Sequence, residues 1–217
     1  MVFIPLVLFL MLRGETVSGS IAMLKMLGSG DRTAEIVFCT IFFIVCGSLN
    51  GTASSTFSRE GRNFWISKVI PVKPGLQVRA KFLHSFLVTI LGTIAGSLAA
   101  LIALKLSWSS VLPAALLALA GGALLTAVNM AVDLARPLLQ WTSPQRAIKQ
   151  NLNVVIAMAL DFLLLFAFFH LYKLLRSLGL TGDKLIPVLL LILLGSAFLA
   201  VSILEKKAAG RYQAISA

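Results

Sequence analysis

Charge is scarce in this chain. Asp, Glu, Lys and Arg make up 12% of its 217 residues and hydrophobic residues 59%, with a mean hydropathy of +0.96, whereas soluble domains carry roughly 25% charge. A soluble globular class is excluded. Acidic residues are the scarcer sign, eight against nineteen Lys and Arg, for a net charge of +11. In a soluble protein that balance would point to nucleic acid, but here the basic residues sit in short loops between apolar runs, where the positive-inside rule places them. No nucleic-acid partner is expected. The two cysteines, Cys39 and Cys46, lie in one apolar run, too far apart along a helix axis to bridge, and read as packing residues. No Cys-x-x-Cys pair or metal-ligand spacing accompanies them. No Gly-Lys pair occurs anywhere, so a phosphate-cradling loop of the Gly-x-x-x-x-Gly-Lys-Ser/Thr kind is excluded, and Gly-x-Ser-x-Gly and His-Glu-x-x-His are absent too. No catalytic residue, cofactor or metal site is therefore expected in this chain, and His84 and His170, at opposite ends of different runs, read as interfacial side chains.

What the chain has in quantity is long uncharged runs. Ile36–Ser58 and Phe82–Leu104 are each 23 residues, enough for the roughly 20 that a helix needs to cross a bilayer. The expected fold class is all-α, a polytopic transmembrane helical bundle forming one domain over 1–217, with five full spans at 36–58, 82–104, 110–132, 150–172 and 185–204. A short or truncated apolar helix at 1–12 precedes them. Twelve residues reach only about 18 Å of a ~30 Å core, so the chain reads either as the C-terminal part of a longer protein or as starting with a re-entrant or tilted helix. Thr16–Gly30 reads as a surface-lying or partly inserted segment, and Glu205–Arg211 as the start of a short polar tail.

Glycines and polar residues inside the runs point to close packing. Gly47 with Gly51, Gly92 with Gly96, and Gly121 beside Gly122 are small-residue faces that let helices approach. Asn50 lies in the hydroxyl-rich second half of the first run, and Asn129 and Asp133 lie one helical turn apart at the end of the third. Asp161 is central in 150–172, with eleven residues on either side. A carboxylate there costs roughly 2.5–3.5 kcal/mol on insertion scales, so it is expected to face the bundle and be paired or protonated. A proton or cation relay and a structural polar contact are both open for it.

Two polar loops separate the spans. Ser58–Lys81 carries six of the nineteen Lys and Arg. Ser58 is placed to cap a short surface helix whose apolar side is Phe64, Trp65, Val69 and Ile70, with Arg59, Glu60, Arg62 and Lys68 toward water or headgroups and Pro71 as its stop. In the second loop, 133–153, Pro137 and Pro144 break the chain, Ser143 can cap a short helix through Arg146 and Lys149, and Trp141 suits an interfacial anchor. Ordinary positive loops would account for both.

Their wording adds more. Arg-Glu-Gly-Arg-Asn-x-Trp at 59–65, Lys-x-x-Pro-Val at 68–72 and Lys81 opening the next span resemble the first cytoplasmic loop of type 2 ATP-binding-cassette exporter permeases, most closely those of the bacterial ABC exporter permease family. Pro-x-x-x-Trp-Thr-x-Pro at 137–144 and Ala-x-Lys-Gln-Asn-x-Asn at 147–153 resemble the same family in a separate loop. The two matches cover about 45 residues; the spans match in pattern alone. The resemblance implies a membrane subunit of an exporter, powered by a separate P-loop ATPase subunit and paired as a homo- or hetero-dimer of permeases. Arg59, Glu60, Arg62, Phe64, Trp65, Pro71 and Lys81 would form the ATPase-coupling element, supported by Trp141, Pro144, Arg146 and Lys149.

Loops 59–81 and 133–149 together with the tail hold twelve basic residues, against seven on the alternate side, so the first group is expected to be cytoplasmic, and the resemblance implies that the membrane is a bacterial inner membrane. A small secondary transporter, or a membrane scaffold that transports nothing, is the competing reading. In it Asp161 and Asp133 would matter and the loops would only set topology.

Overall fold

Among the described residues of the computed structural model, apolar periodicity closed by a few polar caps builds seven α-helices: α1 Arg32–Ser48, α2 Phe64–Val69, α3 Pro74–Ile102, α4 Trp108–Ala135, α5 Arg146–Lys149, α6 Leu152–Ser177 and α7 Gly182–Ala214. Residues 31–143, 145–149 and 151–215 are described; the expected partial span at 1–12, the segment 16–30, Pro144 and the side chains of Arg146 and Lys149 lie outside the described residues. No β-strand occurs among the described residues. Among the described residues five helical stretches are long and apolar enough to cross a membrane: Arg32–Val69, α3, α4, α6 and Lys184–Ala208 of α7. The chain is an all-α, multi-pass helical bundle.

Starts are set locally. Asp31 Oδ1 accepts the Thr33 N–H at 2.9 Å to cap α1, and Asn151 Oδ1 accepts the Asn153 N–H at 2.9 Å to cap α6, each satisfying a donor that a first turn leaves unpaired. Pro74 opens α3, where its missing N–H costs nothing.

The helices alternate in direction. At one end, Arg32 Nη2 donates to Ser109 O at 2.8 Å and Arg176 lies 2.7 Å from Asp31, gathering the start of α1, the start of α4 and the end of α6. At the other end lie the two polar loops and the C-terminal part of α7. Helix α4 is central, packing on α1, α3, α6 and α7. Its apolar window is 56% buried, against 17% for that of α7, so α7 shows most of its surface outward. Close approach rests on glycine where expected: a Cβ on Gly92 would fall 2.4 Å from Gly47 Cα, and one on Gly47 would fall 2.6 Å from Thr89 O. Gly51 instead stands at ordinary contact distance from Ile148 and Val154.

Four expectations need correction. The span 36–58 is α-helical only to Ser48. Asn50 ends the helix by bonding back, its Nδ2 donating to Gly47 O at 2.6 Å and its Oδ1 accepting the Thr52 N–H at 3.1 Å; side-chain to backbone bonds of this kind compete with the helical ladder. The chain then continues through 3-10 turns at Ala53–Ser55 and Ser58–Asn63. Second, α3 begins at Pro74, so Lys81 lies two turns inside a helix that was expected to open near it. Third, α6 runs from Leu152 to Ser177, which puts Asp161 about one turn from the helix midpoint, on the polar-loop side. Fourth, the polar tail is helix to Ala214. Leu204, Ala208 and Tyr212 lie on one face, pack against Phe57, Phe64 and Leu134 in a second apolar core, and hold the tail down.

Candidate functional site

The two polar loops meet at Asp133. This carboxylate, 0% exposed, accepts the Phe57 and Ser58 N–H groups on Oδ2 at 2.7 and 3.0 Å, and on Oδ1 the Asn153 amide at 3.0 Å and the Ser58 hydroxyl. A buried carboxylate stays in place only when donors replace its water, and four do so here. Two of them are backbone groups that α1 would have paired had it not unwound. Asp133 thus supplies the acceptors that replace the helical partners this irregular segment lacks.

Ser58 is the second half of this joint. It was expected to cap a surface helix; instead it is the first residue inside a 3-10 turn, and its hydroxyl donates to Asp133 and accepts the Leu138 N–H at 2.9 Å. Its carbonyl accepts the Trp141 indole N–H at 2.8 Å. The Trp141 ring then lies over Gly61, whose φ of +53° and whose absent Cβ, 2.6 Å from the ring if present, both require glycine. Asn153 closes the circuit by donating also to Arg136 O at 2.7 Å. Trp141 is therefore a clamp on the first loop as much as an interfacial anchor.

The expected coupling residues divide. Phe64 is 0% exposed and packs on the Tyr212 ring at 5.2 Å between centroids, so it is core and not part of the outward face that had been expected. Glu60 is turned inward as well: it pairs with Lys81 and accepts the Ser67 hydroxyl at 2.8 Å. That contradicts the solvent-facing role foreseen for it, and joins the first loop to α3. Arg62 and Pro71 are exposed, and Trp65, 54% exposed, stands out with Ile66, Val69, Ile70 and Val72. A groove of about 360 Å³ runs between Glu60, Arg62, Asn63, Trp141 and Thr142. Burial among Phe57, Phe64 and their neighbours raises the Tyr212 phenol above its usual titration range, and its hydroxyl has no hydrogen-bond partner among the described residues.

Asn129 and Asp133, expected as a pair, part company. Asn129 Nδ2 donates to Asp161 Oδ2 at 3.1 Å, linking α4 to α6, while Asn129 Oδ1 and Asp161 Oδ1 are buried without a donor. Asp161 faces the bundle, 2% exposed. Asn50 acts on its own backbone. Asn153 and Tyr212 were not singled out from sequence; the Asn151, Asn153 doublet and the spacing of Leu204, Ala208 and Tyr212 were the available signals. Among the described residues no group of three or more His, Cys, Asp or Glu could hold a metal ion.

No protein-family model, curated protein or solved structure matches this chain.

Proposed function

We propose that the chain is the permease subunit of an ABC exporter, or the C-terminal part of one, forming part of a translocation path across a bacterial inner membrane. In this reading loops 58–81 and 133–152 and the C-terminus are cytoplasmic, in line with their excess of basic residues. ATP is hydrolysed by a separate P-loop subunit, and two permease copies, alike or different, sit together in the lipid. The observation that carries it is the joint at Asp133: the two stretches that resemble exporter permeases, some 75 residues apart, form one braced unit through Ser58, Trp141 and Asn153. Glu60–Lys81 and Pro74 tie that unit to α3, so a push on the exposed Arg62 and Trp65 surface would move a span instead of dissipating in a tether.

The test uses residues that touch little inside. Trp65→Ala and Arg62→Glu, each co-expressed with any P-loop ATPase that a neighbouring gene encodes, are expected to insert normally and to lose the ATPase co-purification that the parent chain shows, because aromatic and Arg anchors commonly dominate interfaces. Retention of the ATPase by both variants would sink the coupling role. Glu60→Ala is a poor probe, since it also breaks the bond to Lys81.

Secondary transport keeps one specific support, the donor-free oxygens of Asp161 and Asn129 inside the bundle. Ion-driven transport lost in Asp161→Asn at normal expression would favour it.

A further inference from the structure

One cleft belongs to neither buried carboxylate. Where α1 stops at Ser48, the chain turns aside and leaves part of α3 uncovered, opening a space of about 300 Å³ lined by Asn50, Thr52, Ser55 and Arg59 on one side and by Val88 and Leu91 of α3 on the other. The polar side is cationic. Arg59 donates from Nε to Ser55 O at 3.3 Å and from Nη2 to Thr52 O at 3.1 Å, which leaves donors of its five N–H groups unused. No carboxylate among the described residues pairs with it: Asp133 is taken up by its four donors and Glu60 by Lys81 and Ser67. The apolar side runs outward, since Leu91 is 60% exposed and stands in a row with Leu83, Leu87, Ile94 and Leu98 on the outside of α3.

Depth matches this polarity. Arg59 belongs to the segment that joins the polar loop, whereas Gly92, one residue past Leu91, meets Gly47 deeper in the bundle. A molecule with its head at Arg59 and its tail on Leu91 would point as a lipid of that leaflet points. A planar guanidinium with free N–H groups suits a phosphate or carboxylate, which it can hold through two parallel bonds. We infer that this cleft binds an anionic amphiphile, with its phosphate or carboxylate head on Arg59 and its alkyl chain along Val88 and Leu91. The inference does not depend on ATPase coupling.

The full chain in phosphatidylcholine nanodiscs, illuminated with an alkyl phosphate carrying a diazirine on its chain and mapped by peptide mass spectrometry, tests it. Capture is expected on 88–92 and at Ile148, which also lines the cleft. Unlabelled dodecyl phosphate should compete and dodecylphosphocholine should not. Arg59→Gln should lower capture about tenfold, as loss of a charge-assisted hydrogen bond does, and Arg59→Lys should keep most of it, which separates lost charge from lost folding. Competition by phosphatidylglycerol built into the nanodisc would identify the occupant as membrane lipid; undiminished capture in its presence would identify a free amphiphile. Equal capture by Arg59→Gln, or capture spread evenly over α3, α6 and α7, overturns the site.

Discussion

Asp133 and Asp161 are buried alike, 0% and 2% exposed, and each joins α4 to α6, Asp133 by accepting from Asn153 and Asp161 by accepting from Asn129. Their surroundings differ completely. Asp133 receives four donors, two of them backbone N–H groups released where α1 unwinds, whereas Asp161 receives one amide and leaves an oxygen on each partner without a donor. Burial by itself therefore says little about what a membrane carboxylate does. The count and origin of its donors say more: Asp133 organises backbone, and Asp161 joins two side chains.

Substituting each carboxylate turns that contrast into numbers. Asp133→Ala strands the Phe57 and Ser58 N–H groups and the Asn153 amide, and buried donors left unpaired cost about 1–3 kcal/mol each. We expect a loss on the order of 3 kcal/mol or more, read as a collapsed monodisperse peak in detergent and a lowered melting temperature. A melting curve unchanged from the parent would end the comparison. Gly61→Ala, in the same joint, should cost about 1–3 kcal/mol for a positive-φ backbone that side chains rarely adopt, with more from displacing Trp141. Trp141→Ala removes the obstructing ring, so in unfolding measurements the double variant should be less destabilised than the two single changes summed.

Asp161→Asn should behave in the opposite way. The new amide can donate to the Asn129 oxygen that now lacks a partner, so stability should hold or rise by up to about 1 kcal/mol. A clear fall in melting temperature would show that the charge itself is needed. The smallest effect is expected at Tyr212→Phe, which deletes a buried hydroxyl that bonds nothing while keeping the ring against Phe57 and Phe64. A change beyond about 0.5 kcal/mol in the same assay would mean that the hydroxyl has a partner when the protein is in lipid.

How far these features were legible follows from the range of the forces behind them. Uncharged runs marked every span, because a bilayer selects on length and hydropathy that any window of residues carries. Gly47 and Gly92 announced close helices by their spacing, though only packing decided that they face each other. The break at Ser48 was visible in outline, in the change from apolar residues to SLNGTASSTFS. It became a stop only because Asn50 and Asp133 offered the backbone other partners. The helical tail escaped notice because its stripe of Leu204, Ala208 and Tyr212 is thin among charged residues, and becomes decisive only beside Phe57 and Phe64.

By itself, then, the sequence determined the class, the five long apolar helices found among the described residues, the small-residue contact faces and the two polar loops, all of which rest on composition or on neighbours within a few residues. Tertiary structure alone decided that the loops form one joint, that Glu60 turns in to Lys81 while Trp65 turns out, and that Asp133 organises backbone while Asp161 does not. The physical reason is that a buried polar group takes its role from the donors brought to it, and those that reach Asp133 come from Phe57 and Ser58, some 75 residues away.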